Sequence, residues 1–215
     1  MHIISSEQCE QALSRYYRDL SRIPYEAWHA WKLSPTAQRV AHKSVRAMNV
    51  WNNMVGLAED RFADQALGNT EWVKLGHQNG LLLEGKFFVR LKKADAQLKS
   101  KNYPTQSALK FHDQETDLFG GLCRLELIYV LDKQEMNVEQ VALVQRHKGN
   151  VVFVRDLTGL DEEFQVPTAN IQPLRSPPNT TTAAHIIKTN KLEINDDHVA
   201  ERNGTGGSKP SSDPS

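Results

Sequence analysis

Apolar positions recur along this chain with two different periods, and the change of period divides it. Cys9, Ala12, Leu13, Tyr16, Tyr17 and Leu20 fall on one face of a helix. Ser5, with Gln8 three residues on, makes a capping-box signature ahead of them, and Pro24 is expected to end that helix. Trp28 and Trp31 mark a short helix or turn packed on the body. Ser34 then reads as an N-cap with Pro35 at the first helical position. A long helix to Ala66 is predicted, with Ala41, Val45, Met48, Val55, Ala58 and Phe62 on one face and Gly68 closing it.

From Glu71 the period shortens. Trp72 to Leu75, Leu81 to Leu83 and Phe87 to Leu91 are short apolar runs. Gln78-Asn79-Gly80 and Glu84-Gly85 between them read as turns, which predicts three antiparallel strands. Lys92 to Lys101 is a basic connection. Asn102-Tyr103-Pro104-Thr105 opens a short helix carrying Ala108, Leu109 and Phe111, and Asp113 to Gly121 is a loop. Leu122 to Leu131 alternates, with Cys123, Leu125, Leu127, Tyr129 and Leu131 on one side and Arg124 and Glu126 on the other. Ile128 and Val130 continue that second side, so the far end of the strand is expected to be covered on both faces. Val138 to Gln145 and Val151 to Arg155 follow across short turns, as in a meander.

The expected fold is α+β: an N-terminal helical layer packed on an antiparallel β-sheet meander, then a disordered C-terminal tail. In domain terms this is one α+β domain over 1–175, helical over 1–68 and mainly β over 71–157. Residues 176–215 form the tail, where Thr, Asn, Ser, Pro, Gly and charge displace large apolar residues.

Composition narrows the function classes. The chain has 215 residues, 39% apolar and 24% charged, with a formal net charge of zero. No global field attracts nucleic acid or a membrane, so such binding requires a local patch. No apolar run is long enough to span a bilayer. No signal segment is evident at the N-terminus, and a cytoplasmic setting is expected. Cys9 and Cys123 sit at apolar positions, as buried thiols do in a reducing compartment.

Two constellations bear on chemistry. Glu84-x-Lys86 matches half of a metal-dependent nuclease signature, in which carboxylates on adjacent strands hold Mg²⁺ and a lysine places the water. Asp60, Asp64 or Glu71 would supply the other carboxylate. Gly85 inside the triplet argues instead for a hairpin turn. The second constellation is the segment 86–110, whose basic residues are opposed by Asp95 alone. Arg90, Lys92, Lys93, Lys99 and Lys101, with Arg39, Lys43 and Arg46 on the long helix, are the nucleic-acid-binding candidates. The eight histidines are scattered and no paired-cysteine motif occurs, so neither a metal nor another cofactor is expected.

The run Leu82 to Phe111, with Leu-Leu-Glu-Gly-Lys-Phe-Phe-Val-Arg-Leu-Lys-Lys followed by Asn-Tyr-Pro-Thr-Gln, resembles a group of uncharacterised bacterial proteins. The resemblance implies a bacterial origin and a regulatory, defence or mobile-element setting, and it assigns no functional residue. The leading expectation is a non-enzymatic interaction or regulatory module, part of a toxin–antitoxin, phage-defence or phage-related system, acting through a protein partner. The alternative is a nucleic-acid binder or metal-dependent nuclease using the basic 86–110 segment.

Overall fold

A computed structural model describes residues 3–63, 68–100 and 105–160. The expected tail 176–215, Asp64 and Lys101 lie outside the described residues. Four α-helices, a one-turn 3₁₀ helix (Ser14–Tyr16) that divides the first expected helix, and six strands are described: α1 (Ser6–Leu13), α2 (Tyr17–Leu33), α3 (Lys43–Phe62), β1 (Thr70–Leu75), β2 (Gln78–Leu83), β3 (Phe87–Lys93), α4 (Gln106–His112), β4 (Cys123–Leu131), β5 (Val138–His147) and β6 (Asn150–Asp156). The architecture is α+β, a helical layer on a six-stranded, mostly antiparallel sheet.

The capping box forms as predicted: Gln8 N donates to Ser5 Oγ, and Ser5 N donates to Gln8 Oε1. Cys9, Leu13, Tyr16, Tyr17 and Leu20 are buried from this end of the chain. Pro24 does not end a helix. It lies inside α2, buried beside Ile23, Ala27 and Trp28, and burial of that face offsets the roughly 3 kcal/mol an internal proline costs. Ser34 is the C-cap of α2, not the N-cap of a long helix. Its hydroxyl accepts Thr36 N and its carbonyl accepts Ala37 N, closing a turn that reverses the chain. Helix α3 therefore starts only at Lys43, and its buried stripe is Val50, Met54, Ala58 and Phe62. Val45 and Met48, expected on that stripe, are exposed.

The β1–β2 reversal is also one step earlier than predicted. Leu75 pairs with Gln78, so Gly76 and His77 are the turn and Gln78-Asn79-Gly80 belong to β2. Gly80 is needed for close packing: a Cβ there would lie 2.5 Å from the Val89 carbonyl oxygen and 3.0 Å from the Phe88 ring. The Glu84-Gly85 turn is as expected, both residues having φ near +60° (55° and 60°).

Sheet order is β1-β2-β3-β4-β5-β6, and every neighbouring pair but one is antiparallel. The exception corrects the simple meander: β3 and β4 run parallel, with Arg90 opposite Glu126 and Lys92 opposite Ile128. The intervening residues 94–122 supply the long crossover that a parallel pair requires, and α4 lies within it.

This crossover gives the sheet two covered faces. On one, Leu81, Leu83, Val89, Leu91, Leu125, Leu127, Tyr129 and Leu143 pack with residues of α1, α2 and α3 in the main core. On the other, Ala94, Ile128, Val130, Ala142 and Val144 form a smaller cluster with Leu98 of the crossover, while the Phe88 ring meets Phe111 and Phe119 at centroid distances of 6.1 and 5.3 Å. No described helix is long and apolar enough to cross a membrane.

Candidate functional site

Strand alternation puts Phe88, Arg90 and Lys92 of β3, and Arg124 and Glu126 of β4, on the crossover face. Arg90, Arg124 and Glu126 are kept from solvent by the chain between β3 and β4, which lies over them. Arg90 is 3% exposed, Arg124 3% and Glu126 1%. Arg90 Nη2 donates to Glu126 Oε1 at 2.9 Å, and Ser100 Oγ donates to Glu126 Oε2 at 2.9 Å. Arg90 Nη1 donates to Gln78 Oε1 at 2.7 Å, and Gln78 Nε2 in turn donates to Ser107 Oγ at 2.6 Å. The guanidinium also covers the Phe111 ring, 3.9 Å from its centroid.

His112 closes the other side. Its Nε2 lies 3.3 Å from Arg146 Nη1 and 3.8 Å from Glu126 Oε1. Arg146 can only donate, so Nε2 is the unprotonated nitrogen and accepts. Burial, with Arg146, Arg90 and Lys92 nearby, pushes the imidazole down to about 4 against the pull of Glu126. His112 is therefore neutral at pH 7. Arg146 Nη1 also donates to Ser100 Oγ at 3.2 Å, which links it back to Glu126. Arg124 is held by main chain, donating to the carbonyls of Lys110 and Asp113 at 3.1 and 2.6 Å.

Lys92 is the odd member. It is half-buried on the same face, and burial lowers its pKa, helped by Arg90 and opposed by Glu126. Its ammonium makes no hydrogen bond or ion pair among the described residues. A recess of about 160 Å³ opens there, lined by Trp51, His77, Gln78, Asn79, Arg90, Leu91 and Lys92.

The residues singled out from the sequence do not come together in one place. Glu84 sits in the β2–β3 turn, where the Arg15 guanidinium and the Tyr16 hydroxyl both donate to it. The Tyr16 hydrogen bond first, and Arg15 with it, hold that carboxyl below the usual carboxylate range. Lys86, exposed at the end of this turn, adds a weaker electrostatic pull on Glu84, and Asp60 is exposed on α3 with no described contact to Glu84. A second group converges on Glu135, in the β4–β5 turn: Lys43 and Lys93 lie 2.9 and 3.0 Å from its carboxylate, and Arg46 also pairs with it. Arg46 in addition lies over the Trp28 ring. Arg90 and Lys92 belong to the buried face. Lys99 and Arg39 are exposed.

The network partners Gln78, Ser100, His112 and Arg146, of which Ser100 and His112 are buried, were not visible in the sequence. The only signal was the pair Arg124 and Glu126 inside an otherwise apolar strand. Elsewhere, Asp113, Glu115 and His147 bring one ligand-type atom each within 4.8 Å of one another. Their polar atoms are engaged within the loop: Asp113 Oδ1 accepts Glu115 N, His147 Nδ1 accepts Gln114 N, and Lys148 Nζ donates to Glu115 at 3.0 Å. Burial raises the Cys123 thiol to about 12 and raises Cys9 as well, so neither is a thiolate at neutral pH.

No family model, no curated protein sequence and no solved structure matches this chain.

Proposed function

We propose that this protein is a non-enzymatic interaction module that docks a protein partner on one end of its helical layer. The supporting observation is a group of large apolar side chains left in solvent there: Leu33 is 72% exposed, Met48 70%, Met136 60% and Val45 43%. Leu33 ends α2, and α3 runs back beside α2, with Asn53 reaching the Ala27 carbonyl and Arg61 the Asp19 carbonyl. That pairing puts the start of α3, with Val45 and Met48, next to Leu33. The β4–β5 turn joins them, because Trp28 Nε1 donates to the Met136 carbonyl at 2.9 Å. Apolar groups gathered in this way, beside the Lys43–Glu135 charges, have the makeup of an interface. A bacterial cytoplasmic setting in a regulatory, toxin–antitoxin or phage-defence system goes with this proposal, on the strength of the resemblance alone.

The test is copurification from the native source, comparing wild type with the Leu33→Glu, Met48→Glu variant. A stoichiometric protein partner should accompany the wild type and be lost from the variant. A wild type that elutes alone, as a monomer, sinks the reading.

A second reading, contact with nucleic acid, keeps Lys86, Lys99 and Arg39, which are exposed and carry no side-chain pairing among the described residues. Binding at low salt that weakens when these three become glutamate would favour it over a protein partner.

A further inference from the structure

Under the crossover, positive charge exceeds negative. Arg90, Lys92 and Arg146 gather around Glu126, the one carboxylate in the network, and His112 is neutral. Glu126 is already committed to Arg90 and Ser100. Arg90 Nε is buried without an acceptor among the described residues, and the Lys92 ammonium has no partner there either. Both residues line the same recess of about 160 Å³ beside the start of β2. Lys92 is partly withdrawn from water, and Glu126 attracts its charge without forming an ion pair with it; an idle buried N–H is costly as well. Both donors line one opening and are able to donate to an anion placed there.

We propose that this recess is an oxyanion site that takes a phosphate group, with Lys92 as its charge partner and the Arg90 Nε–H as a fixed donor. Phosphate fits better than a carboxylate because the excess is two positive charges, and a phosphate monoester carries about −1.5 to −2 at neutral pH. Asn79 and His77 add polar groups at the rim, and Trp51 adds an aromatic one. The phosphate can come from the free ion or from a nucleotide whose base lies against Trp51 and His77. This proposal is independent of the protein partner, because it uses neither Leu33, Met48 nor Met136.

The experiment is thermal unfolding and titration calorimetry of the full chain with inorganic phosphate and with adenosine monophosphate, each against chloride at equal ionic strength. The variants are Lys92→Met and, as a surface control, Lys99→Met. Wild type and Lys99→Met should bind at least one probe saturably and melt higher with it. Lys92→Met should lose affinity by about tenfold or more and, without ligand, melt no lower than wild type, which separates lost binding from lost folding. Stronger binding of the nucleotide assigns the phosphate to a nucleotide, and equal binding assigns it to the free ion. The proposal is overturned if neither probe acts beyond chloride, or if Lys92→Met binds as well as wild type.

Discussion

Leu127 and Glu126 are neighbours on β4, both essentially inaccessible to water, and they face opposite sides of one sheet. Leu127 enters a continuous apolar core shared with the helical layer. Glu126 enters a network of charge in which each favourable contact is needed to offset desolvation. The first face tolerates any well-fitting hydrocarbon. The second requires particular partners at particular distances, and Arg90, Ser100 and His112 are brought to Glu126 from three separate parts of the chain. A sheet can thus be covered twice by different physics. The apolar face holds the fold together, and the polar face is where charge is held out of water beside an opening.

Single substitutions should break this contrast in order of size. Glu126→Ala strands the Arg90 guanidinium and should destabilise by about 3–5 kcal/mol in denaturant unfolding. Leu127→Ala, one residue along, should cost about 2–5 kcal/mol by leaving a cavity. The two differ in whether they can be rescued. Replacing both Arg90 and Glu126 with apolar residues of similar volume should be neutral or stabilising by about 1–4 kcal/mol, whereas no change on the polar face should restore Leu127→Ala. A double variant as unstable as Glu126→Ala would show that the crossover face is not held by charge pairing. Gly80→Ala, which places a methyl against the Val89 carbonyl and the Phe88 ring, should cost about 1–3 kcal/mol through overpacking between β2 and β3.

The polar face should also be the acid-sensitive one. His112 titrates at about 4 in the folded protein and near 6.5 when unfolded. Below pH 6.5 the unfolded chain takes up the proton first, so stability present above 6.5 is lost as pH falls toward 4, by at most about 1.4 kcal/mol per pH unit. His112→Gln should flatten that window in unfolding curves measured from pH 7 to 4. An unchanged slope would mean that another group carries it.

The readable parts of the sequence were those where a local pattern and its burial agree. The capping box at Ser5 appears as expected. The stripe from Cys9 to Leu20 is buried, although a 3₁₀ turn at Ser14–Tyr16 divides it between two helices. Leu125, Leu127, Tyr129 and Leu131 of β4 enter the main core as expected, although the strand is covered on both faces along nearly all its length and not at its far end alone. Errors came where a local signal competed with packing. Pro24 reads as a helix stop, yet burial of its neighbours carries α2 through it. Asn79-Gly80 reads as a turn, yet the glycine is there because the Val89 carbonyl, with the Phe88 ring beside it, leaves no room for a side chain. Ser34-Pro35 does cap a turn, but a turn too short to be the helix its pattern suggests. Glu84-x-Lys86 was legible as a turn from Gly85, while the Arg15 and Tyr16 that hold Glu84 lie far away in sequence. The basic segment misled most, because a charge count along the chain does not distinguish Lys99, in water, from Arg90, beneath the crossover.

By itself the sequence determined the class of fold: where helix gives way to strand, and which residues of most elements turn inward, because those properties repeat at short range. Only the tertiary structure decided that β3 and β4 run parallel, that the chain between them covers the second face of the sheet, and that Lys92 has no ion-pair partner among the described residues beside Arg90. Those facts depend on which residues distant in sequence share one low-dielectric space. There the worth of a charge is set by its surroundings and not by its own identity.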